Sequence, residues 1–526
     1  MSRFFGLPFC LVILCWAVCR PAHGQETHVV PDDFETIQEA IEAAEDGDTI
    51  EVLAGIYEEN LDALGKSFAL IACDGPELTS IWGLGETLGP DLRSVLHLGG
   101  GDNVLVDGFT ITLGFGTAVT NGAGTFHNGG GVYAKDATIE IVNCTIHDNF
   151  NGGIHVRDAS VTIRDSTIIG NEGGGILSSG LSFVTLDNSA ILENTSDTIV
   201  GGIVVHPGGS SWIEDTTISD NDGLLAGGAL LVGPATMLRT EISNNTAFFA
   251  GGLAVDGSTV TVQQCVISGN SATSGGGLLL CSPEELLIED TLIVGNEGVF
   301  GGAIFGGGNA SLTLSRCTIT GNSSDTAGAI SNAITTAAPT PTIDMENCIV
   351  WGNGPDPIQE GFGTITATYS NVEGTWPGLG NLDEDPLFVD PDNGDYSLDP
   401  DSPSIDAGDP DETDPDGTVR DQGALYFPQA PFFLRGDADS NNVVSPLLDS
   451  LALLNWAFNG GVPPACEDAA DADDNGTVAA LIDSLALLQW GFGDQPPPPA
   501  PGPFECNLDP DLDADGIGCE TEPNCD

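Results

Sequence analysis

Positive charge is what this sequence has least of. Eleven Lys and Arg stand against 78 Asp and Glu, a formal net charge of −67 over 526 residues. Nucleic acid is bound through cationic stripes that release counterions, so this scarcity excludes a phosphate-binding surface as the main activity. It argues equally against docking on anionic lipid. Long apolar runs are missing as well. The one pronounced run, Phe4–Val18, follows Arg3 and precedes Ala22-His23-Gly24, and it falls short of the roughly 20 residues of a membrane span. A short positive segment, an apolar centre and a small-x-small site form an export signal. Residues 1–24 are therefore expected to be a signal peptide, and the protein to be secreted, extracellular or on the cell surface, with no membrane span. Disorder is not implied, because 40% of residues are hydrophobic and the 71 Gly and 32 Pro suit a large core with many turns.

What is present is a repeat. Ile-x-x-Asn recurs at Asn149, Asn171, Asn194, Asn221, Asn245, Asn270, Asn296 and Asn322, and Val350 opens a ninth copy ending at Asn353. Five residues before each Asn stands a small side chain, such as Cys144, Ser166, Thr240 or Cys348. Eight before stands an apolar one, such as Ile141, Leu186, Val262 or Met345. Between turns the segments are 3–6 residues long, alternate apolar with polar, and favour Val, Ile and Thr, which is strand periodicity. A propeller blade needs about 40 residues, whereas two or three short strands fit a coil of this length in a parallel β-helix. One coil cannot bury its inner face alone, so coils stack at about 4.8 Å. The repeated Asn then forms a ladder of side-chain amides. Gly pairs such as Gly152-Gly153, Gly227-Gly228 and Gly251-Gly252 follow the Asn corner, where either positive φ or close backbone approach calls for them.

These coils resemble the right-handed parallel β-helix proteins of the pectate-lyase-like superfold. Val30-Pro-Asp-Asp-Phe-Glu-Thr-Ile37-Gln-Glu-Ala-Ile41 followed by Gly47-Asp-Thr-Ile-Glu-Val52 resembles their N-terminal helix and first strand. Ile37, Ala40, Ile41 and Ala44 form its apolar stripe. Such a helix caps the open end of the stack. Asp385-Pro-Leu-Phe-Val389, Ser402-Pro-Ser-Ile-Asp-Ala-Gly408 and Asp414-Pro-Asp-Gly-Thr418 resemble the closing segment. The resemblance covers roughly residues 28–428 and implies fold, which does not by itself give function. Catalytic members of the superfold cleave acidic polysaccharides. The Gly-His-Gly, Arg-Ile-Lys and Arg-x-Pro-x-x-Arg signatures of such enzymes are absent here.

Within the coils, Cys144, Cys265, Cys317 and Cys348 share one inward position and read as small core residues. Cys317 and Cys348 lie one coil apart, which leaves a bridge open. The few cations gather at Lys135, Arg157 and Arg164. Counted from the Gly pairs, Tyr133 and His155 share one offset, and Lys135, Arg157, Ser179 and His206 another, so Tyr133, Lys135, His155, Arg157 and His206 are expected to line one outer face. A groove binding acidic saccharide is one reading, with Lys135, His155 and Arg157 as the catalytic candidates if the protein is an enzyme and Tyr133 and His206 as substrate contacts. Scattered solvated side chains are the other. Arg164, opposite Asp165, and Arg316 read as ordinary surface charges.

Past residue 431 the composition changes. Asp437-Ala-Asp-Ser-Asn441 and Asp471-Ala-Asp-Asp-Asn475 open two copies of one module, 34 residues apart, each ending in a Leu-rich helical segment with a Trp. Oxygen donors at Asp437, Asp439 and Asn441, and at Asp471, Asp473 and Asn475, suit Ca²⁺. The pair resembles dockerin type I, two calcium-loop–helix units that dock on cohesin-like domains. Asn442 replaces the expected Gly, and the terminal acid falls one residue late, at Asp449 and Asp483. After the Pro496–Pro499 spacer, Asp511, Asp513, Asp515 and Glu522 form a third candidate Ca²⁺ loop, among Cys506, Cys519 and Cys525.

The expected organisation is a signal peptide (1–24), an all-β right-handed parallel β-helix with an N-terminal capping helix (25–431, closing segment about 382–428), a small α-helical dockerin-like calcium module (432–494), and a Pro-rich spacer with an Asp- and Cys-rich tail (495–526). The expected function is binding of extracellular polysaccharide or a surface partner through the solenoid, with attachment through the calcium module. The rival is a polysaccharide lyase, or another carbohydrate-active enzyme, acting on acidic polysaccharide.

Overall fold

A computed structural model describes residues 25–84, 94–121, 124–307, 310–325, 327–332, 341–354, 356–359, 361, 363–429, 446–459, 484 and 487–488. Three parallel sheets run the length of a β-helix, and a fourth lines only some of its coils. Sheet I has 14 strands, from Thr27–Val30 to Thr364–Thr368. Sheet II has 13, from Gly55–Glu58 to Asn371–Val372. Sheet III has 12, from Leu61–Asp62 to Ile358–Gln359. The short sheet IV has six, from Thr195–Ser196 to Ser323–Ser324. One coil shows the path: Ser210–Glu214 in sheet I, Thr217–Ser219 in II, Asp222–Gly223 in IV and Ala229–Leu231 in III.

Successive coils pair in register. Ile191 lies beside Ile218, and Ile218 beside Ile242. The inward residues of sheets I–III form one core, with Ile141, Leu186, Ile213, Val262 and Leu314 fully buried. Cys144, Cys265, Cys317 and Cys348 are buried free thiols within it. Burial pushes the Cys144 thiol up to about 12, the behaviour of a packed hydrophobe rather than a reactive group.

Two of the corners in each coil are built alike, while the turn from sheet III back to sheet I has positive-φ residues of its own, such as Asp136 and Asp158. At each of the two like corners, a residue with positive φ precedes a buried side chain that hydrogen-bonds along the stack. At the corner between sheets I and II, Asn143, Asp165, Asn188, Asp215, Arg239, Gln264, Asp290, Arg316 and Asn347 have φ of 44–53°. The small residue that follows accepts from the coil before it: Cys144 N donates to Ser166 Oγ and Cys265 N to Thr291 Oγ1. At the second corner stands the Asn ladder. Asn171 Nδ2 donates to Asn194 Oδ1 at 2.9 Å, and the same bond recurs from Asn149 through to Asn353. The Gly pairs serve close approach more than positive φ. A Cβ on Gly228 would sit 2.6 Å from the Gly252 carbonyl oxygen, and one on Gly202 2.2 Å from that of Gly228.

The helix Ile37–Ala43 buries Ile37, Ala40 and Ile41 and contacts the first strands of sheets I and III. The second coil fastens both its ends. Glu59 accepts from Ile37 N and Gln38 N, and Lys66 Nζ donates to the carbonyls of Ile41, Glu42 and Ala44. An acid at the N-terminus and a cation at the C-terminus both complement the helix dipole. At the far end residues 407–427 fold back along the corner between sheets I and II. Asp409 N donates to Asn347 Oδ1, Gly423 N to Asn347 O, and Ala424 N to Thr318 Oγ1.

Candidate functional site

The outer face of sheet III carries the candidate site near its N-terminal end. Four strands bring one polar row into register: Asp62 beside His97, His97 beside Tyr133, and Tyr133 beside His155. The rings contact in turn. His97 stacks on Tyr133 at 5.5 Å and 7°, and Tyr133 meets His155 edge-on at 5.4 Å and 75°. A second row, two residues along, sets Lys135 beside Arg157 and Arg157 beside Ser179.

The expectation of one solvent-facing row holds only for the cations. Tyr133 and His155 are buried, at 4% and 3% exposure. His155 Nε2 shares a hydrogen bond of 2.9 Å with Ser179 Oγ, while its Nδ1 is buried without a hydrogen-bond partner. Burial, reinforced by the Arg157 charge, pushes His155 down to about 4, so the ring is neutral at pH 7. Burial raises Tyr133, against the lowering effect of the Arg157 guanidinium. His206 does not join the row, because its strand ends at Val205. It stands exposed in the following turn, where its backbone N–H donates to Ser178 Oγ. His97, which does join, escapes the sequence pattern because it stands in an early coil without the Ile-x-x-Asn and Gly-pair landmarks.

Beyond His155 the same row turns apolar: Leu177, Val204, Leu230, Ala254 and Leu279. The turns leading into sheet III cover these residues with Val200, Ala226 and Ala250. The coil that carries Tyr133 instead places an antiparallel hairpin, Thr117–Asn121 with Gly124–Asn128, before its sheet III strand. The polar face therefore occupies the coils that precede the apolar cover.

The cations of this face differ from the rest in how they are paired. Arg239 is held by Asp215 at 2.7 Å and by Glu214. Arg316 is held by Asp290 at 2.6 Å, and Arg420 by Asp414 at 2.7 Å. Arg164 pairs with Glu140 of the preceding coil rather than with Asp165. Arg316 is likewise no ordinary surface charge, since it is four-fifths buried between Asp290 and Glu289. Lys135 and Arg157 instead keep their nearest carboxylates, Asp136 and Asp158, at 3.7 Å, and remain 48% and 39% exposed.

A concavity lies where the closing segment crosses the solenoid. It has a volume of about 780 Å³ and is lined by Gln264, Asp290, Arg316, Glu412, Arg420 and Tyr426, among others. Asp414, Asp416 and Asp421 are buried beside it. Asp421 accepts from Asp406 N and Phe427 N, yet burial still lifts it to about 6. These carboxylates hold the closing turns by their backbone N–H groups.

Of the calcium candidates, Asp437, Asp439, Asn441, Asp471, Asp473, Asn475, Asp483, Asp511, Asp513, Asp515 and Glu522 lie outside the described residues. Asp449 falls in the helix Pro446–Asn459, whose first side chains also lie outside them. The two module copies do meet at equivalent positions. Ser450 Oγ donates to Ser484 O at 3.0 Å and Ser484 Oγ to Ser450 O at 3.1 Å, and Leu453 and Leu487 are both fully buried. Among the described residues, no helix is long and apolar enough to cross a membrane, and no cluster of three or more His, Cys, Asp or Glu is arranged to hold a metal.

A family model described as the right handed beta helix region matches residues 95–247, 130–282 and 202–350, and the fold is a right-handed parallel β-helix. No curated protein matches the chain. Among solved structures, it is similar to the A-module of the Azotobacter vinelandii mannuronan C-5 epimerase AlgE6 (15% identity, 64% of this chain and 94% of that one, TM-score 0.42). It is also similar to pectate lyase Pel9A (12%, 77% and 97%, TM-score 0.35) and to a polygalacturonase from Erwinia carotovora ssp. carotovora (14%, 66% and 98%, TM-score 0.35).

Proposed function

We propose that the protein binds an extracellular polysaccharide bearing carboxylates, laid along sheet III at Lys135 and Arg157. The observation that carries this reading is their pairing. Two half-exposed cations stand on adjacent strands, one strand spacing (about 4.8 Å) apart, each with its nearest carboxylate only at 3.7 Å. A guanidinium and an ammonium so placed have donors free for an incoming carboxylate. Beneath them the His97–Tyr133–His155 ring stack fixes the strand surface.

Of the catalytic candidates, His155 is the one whose state speaks against the role of general base. A general base works best with a pKa near the operating pH. His155 is held near 4, and its Nε2 is engaged by Ser179. Tyr133 is shifted away from neutrality and buried. Neither is tuned to remove a proton from a uronate ring. The lyase reading is tested by incubation with uronate polysaccharides, where absorbance of an unsaturated product, lost in a Lys135→Ala/Arg157→Ala variant, would replace binding with catalysis.

Attachment falls to the C-terminal segment. The duplicated acid-rich loops, with oxygen-only donor sets, would take Ca²⁺, and the reciprocal Ser450–Ser484 contact supports two copies packed as a symmetric pair. Such a module would dock a cohesin-like domain on an exported scaffold, in keeping with the signal-like N-terminus. The helix Ile37–Ala43 would cap the first coil, closing an edge that otherwise invites strand addition.

A further inference from the structure

We propose that Cys317 and Cys348 form a disulfide that clips two successive coils together near the C-terminal end of the solenoid. The two residues follow equivalent corner positions, Arg316 (φ 52°) and Asn347 (φ 53°). They immediately precede Thr318 and Ile349, which are direct partners in sheet II. Their sulfurs therefore point the same way, one strand spacing apart. Cys317 Sγ lies against the carbonyls of Ile288 and Ser315, and Cys348 Sγ against those of Leu314 and Glu346, the same two rails displaced by one coil. Neighbouring strands are about 4.8 Å apart, inside the span of about 4.4–6.8 Å between Cα atoms that a disulfide bridges. The other two cysteines of this row have no such neighbour: Cys144 stacks on Ser166, and Cys265 on Thr240 and Thr291.

The folded pair is fully buried, so the bond forms as the last coils close. The Cys317 thiolate attacks an external disulfide and releases one thiol. The Cys348 thiolate then attacks the Cys317 sulfur and releases the second. Two S–H bonds are lost, one S–S bond is made, and two electrons reduce the external disulfide to two thiols.

The test is to fold the full chain with a mixture of oxidised and reduced glutathione, confirm β structure by circular dichroism, alkylate free thiols under denaturing conditions, and map peptides by mass spectrometry. The expected result is a Cys317–Cys348 linked peptide pair that reductant separates, with Cys265 alkylated throughout. Reductant should also lower the melting temperature of the oxidised wild type by several degrees and leave Cys348→Ser unmoved. Folded protein in which Cys317 and Cys348 are both alkylated after oxidative folding would overturn the proposal, as would a reductant-sensitive melting temperature in Cys348→Ser equal to that of wild type.

Discussion

Asn221 donates twice to one atom of Asn245: its Nδ2 lies 2.9 Å and its backbone N 3.0 Å from Asn245 Oδ1. Asn245 in turn gives its Nδ2 to Ile218 O at 2.8 Å and to Asn270 Oδ1 at 3.0 Å. Every polar atom of the side chain is thus used, within 1% exposure. Asn245→Ala strands two buried donors on Asn221, and buried unsatisfied groups cost about 1–3 kcal/mol each. The expected loss is about 2–6 kcal/mol in denaturant unfolding. Asn245→Asp keeps the acceptor but sets a carboxylate oxygen against Ile218 O and Asn270 Oδ1. Its pKa must rise, so this variant should be least stable at neutral pH and recover as acid protonates it. An Asn245→Asp protein indifferent to pH would show that the ladder does not work through these bonds.

Gly228 offers a steric test of the coil spacing. An added Cβ would meet Gly252 O at 2.6 Å and Ile242 Cγ2 at 3.0 Å, contacts that belong to backbone and core. Gly257 has φ +65° but nothing within 4 Å of an added Cβ. Gly257→Ala should cost only the left-handed penalty, about 1–2 kcal/mol. Gly228→Ala should exceed it and broaden the unfolding transition as neighbouring coils are pushed apart.

His155 predicts an acid-side instability. Its native pKa of about 4 lies below the ordinary 6.5. Between those values the unfolded chain takes a proton that the native ring refuses, so stability falls as pH drops from about 6.5 to about 4. The shift corresponds to about 3 kcal/mol. Asp421 works in the opposite sense. Its raised value of about 6 favours the native state at low pH, and that contribution is lost as pH rises from the ordinary 3.8 through 6. The measurement is the difference in unfolding free energy between wild type and His155→Gln across pH 4–8. It should narrow as pH falls, because only wild type loses the His155 contribution.

Calcium should act on the C-terminal segment alone. Titrating Ca²⁺ into chelator-treated full-length protein should release heat that Asp437→Ala, Asp471→Ala and Asp511→Ala together abolish, with the solenoid's melting unchanged. Heat that survives all three substitutions would place the ion elsewhere.

Much of the solenoid was legible because each coil repeats the same physical demands. The buried Asn, the small side chain five residues earlier and the alternating apolar residues each recur at one structural position, and all land where the spacing puts them. Cys317 and Arg316 show the limit. The spacing marks the cysteine as inward-facing, but nothing local shows that the adjacent guanidinium reaches back one coil to Asp290. The Gly pairs were legible as special, yet their reason at Gly202 and Gly228, that a Cβ would run into a carbonyl of the next coil, is a contact across coils. At the candidate site the offsets bring Tyr133 to His155 and Lys135 to Arg157. They fail for His206, whose strand stops one residue short, and for His97, whose early coil lacks the landmarks. Burial of Tyr133 and His155 was illegible because an outward-pointing strand residue reads as exposed until the rings stacked beside it are seen.

The central claim is that Lys135 and Arg157 receive carboxylates. It is tested most directly by titrating uronate oligosaccharides into wild type, Lys135→Ala/Arg157→Ala and Arg239→Ala, at several ionic strengths. Exposed ion pairs are worth about 0.2–1 kcal/mol each, so the double variant should bind about 2–30-fold more weakly, while Arg239→Ala, whose charge is already held by Glu214 and Asp215, should match wild type. Association should quicken with added salt up to physiological strength, because a protein of net charge −67 repels an acidic chain at long range. Equal affinity in wild type and the double variant would contradict the account.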